Sequence, residues 1–135
     1  MVSDRKILIF RVYTDSNQNW TSFQLGKLRF QGDLFLELTL TKGKYLDEVD
    51  KGCLEKVLSA RGLSVFPWSD RPGAFYAPHE HGHDEVIVVL EGVIEFSVAE
   101  KSYLLESGDE LLLPKGTIHS ASVPEEGAVS YLICS

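Results

Sequence analysis

From Leu63 to Cys134 the chain divides into eight short runs rich in β-branched, aromatic and aliphatic residues. They are Leu63–Phe66, Phe75–His81, Val86–Leu90, Val93–Val98, Tyr103–Glu106, Glu110–Leu113, Thr117–Val123 and Val129–Cys134, and Gly92, Gly108 and Gly116 fall in the turns between them. Strand-like runs at such regular spacing predict an antiparallel sandwich or barrel. Upstream, Ile7–Tyr13 and Phe23–Phe30 also read as strands, with a polar loop over Asp15–Asn19. Leu34, Leu36, Leu38 and Leu40 then alternate with Phe35, Glu37, Thr39 and Thr41, the period of a half-buried strand.

One stretch has a different period. Leu46, Val49, Cys53, Leu54, Val57 and Leu58 follow helical spacing, with Glu48, Asp50, Lys51, Glu55 and Lys56 on the other face. Gly62 follows Arg61 as a C-terminal glycine would. A single helix over 46–61, flanking a sheet and burying Cys53, is therefore expected. At 135 residues the chain reads as one domain, 1–135, with a strand extension over 1–45 and a barrel core over 63–134.

Charge restricts the partners. The formal net charge is −7, and the lysines and arginines are scattered rather than clustered. Nucleic acid and anionic membrane surfaces both demand a basic footprint, so neither is an expected partner. No segment approaches the length of a membrane span, and the apolar run Ile7–Phe10 is too short for an export signal. A cytoplasmic location is the corresponding expectation. Cys53 and Cys134 do not constitute a disulfide framework.

The chemistry gathers in the second half of the chain. His79 and His81 lie two apart, so a strand projects both to one face. Gly82-His83-Asp84 is turn chemistry, which makes Glu85 the opening residue of the next strand and leaves His83 in solvent. Pro114 ends a later strand, Lys115-Gly116 turns the chain, and His119 comes early on the strand that follows. Three strands thus bring His79, His81, Glu85 and His119 towards one place. Imidazole nitrogen and carboxylate oxygen together suit a first-row divalent ion. By the same parity Phe75, Ile87, Val89, Ala121 and Val123 surround the donors as an apolar pocket wall. Glu95 and Ser97 are inward candidates, and Trp68 is read as a packing residue.

These residues resemble the two sequence motifs of the cupin superfamily. Gly73, His79, His81, Glu85 and Gly92 match the first motif with every gap in place. Gly108, Pro114, Gly116 and His119 match the second, where Val123 stands in the position of an asparagine. The resemblance implies an all-β double-stranded β-helix (jelly-roll) barrel, here with one flanking α-helix. It also implies one divalent transition-metal ion (Fe, Mn, Ni, Zn or Cu) bound by His79, His81, Glu85 and His119. A small-molecule ligand and a homodimer are the expected partners.

Four protein ligands on a six-coordinate ion would leave two positions open, the arrangement of a catalytic site. The resemblance favours an oxygenase-type enzyme, and the apolar wall a small apolar or aromatic substrate. Two alternatives stand beside it: a non-catalytic metal- or small-ligand-binding module, and a dimer whose metal only staples the barrel. The sequence identifies no catalytic acid or base near the donors apart from Glu95.

Overall fold

A computed structural model describes residues 10–13, 20–23, 37–48 and 50–135. Its strands are β1 (Phe10–Tyr13), β2 (Trp20–Phe23), β3 (Thr39–Thr41), β4 (Val65–Asp70), β5 (Phe75–His79) and β6 (Glu85–Glu91). They continue with β7 (Ile94–Val98), β8 (Lys101–Leu105), β9 (Glu110–Leu113), β10 (His119–Ser122) and β11 (Val129–Cys134). Each of the eight runs expected from Leu63 onward overlaps a strand. The expected loop at 15–19, most of the expected strand at 23–30 and the first residues of the 34–41 alternation lie outside the described residues.

The strands form two sheets. One has the order β2-β1-β3-β9-β6-β11-β4 and the other β5-β10-β7-β8. All pairings from β4 onward are antiparallel. Between the sheets lies a core that includes Leu40, Ile87, Val89, Phe96, Leu111 and Tyr131. Together the two sheets make the double-stranded β-helix that the resemblance implied, flanked by one α-helix among the described residues.

A second apolar layer explains the uninterrupted run on β6. Val86 and Val88 point away from the inter-sheet core and pack with Leu132, Cys134 and the helix residues Leu54 and Leu58. With Ile87 and Val89 buried on the other face, β6 is covered on both sides, so its sequence does not alternate. Full burial of Leu54 and Leu58 contributes about 2 kcal/mol each by apolar transfer.

The expected helix is shorter and divided. Leu46–Glu48 is a single 3-10 turn, and α1 spans Lys51–Ala60. Asp50 between them is extended (φ −66°, ψ 127°), and its carboxylate accepts the Cys53 N–H at 3.0 Å. An aspartate that bonds the backbone of the following turn starts a new helix instead of continuing an old one. Cys53 is exposed, contrary to expectation, because the buried stripe is carried by Leu54 and Leu58. The buried cysteine is Cys134 on β11. Gly62 does close the helix, at φ +87°, its N–H donating to the Ser59 carbonyl at 2.9 Å. Among the described residues, no helix is long and apolar enough to cross a membrane.

Candidate metal centre

His79 ends β5 and His119 opens β10, and the two residues pair directly across the sheet. His81 follows β5, and its carbonyl accepts the Gly116 N–H at 2.9 Å. The Lys115 N–H donates to Asp84 Oδ1 at 2.7 Å, a second tie between the turn before β6 and the turn before β10. These two bonds hold together the segments that carry the histidines. One potential ligand nitrogen from each of His79, His81 and His119 lies within 4.8 Å of the others. The ring centroids are 4.4 Å apart for His79 and His119, 4.9 Å for His79 and His81, and 5.2 Å for His81 and His119.

Hydrogen bonding sets the rings for ligation. His79 Nδ1 lies 2.7 Å from the Ala77 carbonyl, and His119 Nδ1 lies 2.8 Å from the Thr117 carbonyl. A carbonyl can only accept, so each Nδ1 carries the proton and each neutral ring keeps its Nε2 lone pair for a metal. Burial holds His119 below the usual histidine range, against the opposing pull of the Thr117 carbonyl. The neighbouring His79 and His81 lower it further. The donor chemistry therefore fits a divalent ion.

Glu85 opens β6 and is 9% exposed. Its Oε1 lies 3.5 Å from His81 Nε2 and its Oε2 lies 3.5 Å from His83 Nε2. The His83 side chain is 54% exposed, as its turn position predicted, although it borders the carboxylate.

Beside the histidines is a cavity of about 210 Å³. Of the expected wall, Ile87 and Ala121 line it. Val89 and Val123 are instead packed within the inter-sheet core, and Phe75 is 65% exposed. Phe75 turns outward because of a register shift. His119 pairs with His79 but Ala121 pairs with Tyr76, so β5 advances three residues where β10 advances two. The extra residue reverses parity and brings Tyr76 to the cavity in place of Phe75. Pro78, in mid-strand, was the available signal, since proline in a sheet marks an edge or a bulge.

Residues that strand parity around the histidines missed complete the wall: Ile133 and the aromatic Trp68, Tyr76, Phe96 and Tyr131. Trp68 is 50% exposed at the cavity rather than packed away. Tyr131 reaches the site through pairing of β11 with β6, a contact between segments far apart in the chain. Both tyrosines hydrogen-bond Asp70. For Tyr131 burial, then that bond, pushes the phenol well above its ordinary value, and for Tyr76 the bond itself is the main cause of a rise. Glu95 and Ser97 alternate with buried Ile94, Phe96 and Val98, so they face away from the core and neither lines the cavity.

Comparison with known proteins agrees with this architecture. None of the curated proteins compared with the chain matches it. A cupin-like protein from Thermotoga maritima superposes with a TM-score of 0.50 at 20% identity, over 54% of this chain and 56% of that one. The polyketide cyclase RemF from Streptomyces resistomycificus gives a TM-score of 0.50 at 19% identity, over 53% of this chain and 52% of that one. At this identity the likeness concerns the fold alone. The cupin-domain family model matches residues 68–134, the stretch that holds all four candidate donors and both motifs. With its motifs, its paired sheets and that match in agreement, the chain belongs to the cupin superfamily.

Proposed function

We propose that His79, His81, Glu85 and His119 hold one divalent transition-metal ion, and that the adjoining cavity binds a small molecule with a largely apolar or aromatic body. The observation that carries this reading is the convergence of three imidazole donors within 4.8 Å, two with Nδ1 committed to a backbone carbonyl. Imidazole and carboxylate donors accommodate Fe, Mn, Ni, Zn or Cu, and cellular supply decides among them. When bound, such an ion supplies Lewis acidity or, if redox-active, electron-transfer chemistry. The chain supplies the rest: Ile87, Phe96 and Ala121 restrict water, and the carbonyls of Ala77 and Thr117 orient two of the rings.

In this reading the protein is an oxygenase-type enzyme that works in the cytoplasm as a homodimer, with 1–135 as one domain. One observation favours a non-catalytic ligand-binding module instead. Apart from Glu85, no carboxylate, lysine or arginine lines the cavity among the described residues. Oxygen uptake with small phenols, diketones and thiols separates the two, because a binding module consumes none. The metal itself is tested by elemental analysis of untagged protein. Wild type should carry about one equivalent and His81→Ala almost none. Equal contents in the two proteins would refute the site.

A further inference from the structure

The polar groups on the far wall of the cavity are all turned in one direction. Tyr76 donates to Asp70 Oδ1 at 2.6 Å and Tyr131 to Asp70 Oδ2 at 2.7 Å. The Trp68 indole N–H is shared between Asp70 Oδ1 at 3.2 Å and the Tyr76 oxygen at 3.3 Å. Asp70 itself does not line this cavity but a neighbouring one that shares Tyr76. Each phenol has one proton and each proton is committed to the carboxylate, so the phenol oxygens have only lone pairs left to offer. No lysine or arginine lines the cavity among the described residues. Tyr76 pairs with Ala121, two positions along β10 from His119, which separates the wall from the histidines by about 7 Å of strand.

The geometry points to Asp70, Tyr76 and Tyr131 as a specificity wall that selects the polarity of the ligand's remote end. This rests on the metal-centred reading above and names the ligand class. One end carries oxygen or sulfur donors for the ion. The other carries a hydroxyl or ammonium that donates to the phenol oxygens. A remote carboxylate or phosphate is rejected, because it meets lone pairs backed by a carboxylate and finds no free donor. The two phenols are thus positioned by Asp70, which acts on the ligand through them.

Three catechols with a common chelating head test the wall on zinc-loaded protein by calorimetry: dopamine, para-ethylcatechol and homoprotocatechuate. Wild type should bind dopamine on the order of tenfold tighter than homoprotocatechuate, the value of one charge-assisted hydrogen bond. Asp70→Asn can accept at only one oxygen, which frees a phenol proton to face the cavity. It should bring the two charged probes to within about twofold while leaving para-ethylcatechol binding unchanged. Tyr131→Phe, which keeps the ring, should narrow the preference in the same direction.

Para-ethylcatechol carries no remote polar group and reports on the metal alone. Zinc-loaded wild type should bind it and His81→Ala should not. A preference unaltered in Asp70→Asn, with para-ethylcatechol still bound, overturns the wall and leaves the metal reading intact. Equal binding of para-ethylcatechol by wild type and His81→Ala overturns the metal reading. Failure of wild type to bind any of the three overturns both.

Discussion

Two glutamates on adjacent strands, Glu85 on β6 and Glu110 on β9, are both buried and have opposite surroundings. Glu110 lies on the helix side of its sheet, opposite Val88. Its Oε1 accepts from Tyr45 at 2.8 Å and Arg61 at 2.9 Å, and its Oε2 accepts from Lys44 at 3.1 Å. Burial alone would raise its pKa, but those partners together hold it below the usual carboxylate range. Next to it, Asp109 is bound by Lys42, by the Gly43 N–H at 2.7 Å and by the Glu106 N–H at 2.7 Å. Glu85 has imidazoles near it instead, each at 3.5 Å.

A buried carboxylate surrounded by donors is a structural joint. One bordered by imidazoles, beside a cluster of three histidines, has the surroundings that the proposed metal site requires. Burial alone does not distinguish these roles, and the chemistry of the neighbours does.

Disturbing the two glutamate sites should therefore break different properties. Glu110→Ala leaves two partly exposed cations without their anion and should cost about 3 kcal/mol in urea unfolding, with metal content unchanged. A loss below about 1 kcal/mol would demote the network to surface decoration. Chelation should do the reverse. Stripping metal from wild type should remove about 2.7 kcal/mol if free metal stood at about a hundred times Kd, and chelator should leave the stability of His81→Ala unaltered. An equal chelator effect on both proteins would place the ion elsewhere. If chelation lowered the melting temperature without changing catechol binding, the metal would be a staple.

Acid should distinguish the two sides as well. The folded-state pKa of Glu110 is depressed, so the stability it contributes is complete above the unfolded value of about 4.3. That contribution declines as pH falls through the lower folded value, because the unfolded chain takes up the proton first. Metal-free Glu110→Gln should consequently lose less melting temperature than metal-free wild type between neutral pH and about pH 3. Parallel curves would refute the assignment. The smallest effect concerns the helix cap. Asp50→Ala should cost about 1 kcal/mol by removing the acceptor for the Cys53 N–H, and metal affinity should not move. Its cost should also add to that of His81→Ala, since the two sites share no partner.

The clustering of the three histidines was legible because it depends on local spacing, and Glu85 was placed beside them as a candidate by the same spacing. His79 and His81 share a strand end, Glu85 opens the next strand after a turn, and Gly116 places His119. Gly92 is another local requirement. It adopts φ +91°, and a Cβ there would lie 2.3 Å from the Ala128 carbonyl oxygen. Ile87 and Ala121, which parity turned towards the histidines, line the cavity. Parity failed at Phe75 because one extra residue near Pro78 reverses the faces of β5.

By itself, then, the sequence located the eight strands after Leu63, a helix within 46–61, the turn glycines and the four candidate donors, all of which follow from interactions within a few residues. Only the tertiary structure decided that Tyr76 and Tyr131 face the cavity, that Asp70 takes their protons, and that Glu110 meets Arg61 and Lys44. Asp70 and Tyr131 are 61 positions apart, as Glu110 and Lys44 are 66 apart. Such pairs are joined by sheet register and by a bulge, and neither leaves a periodic mark in the chain.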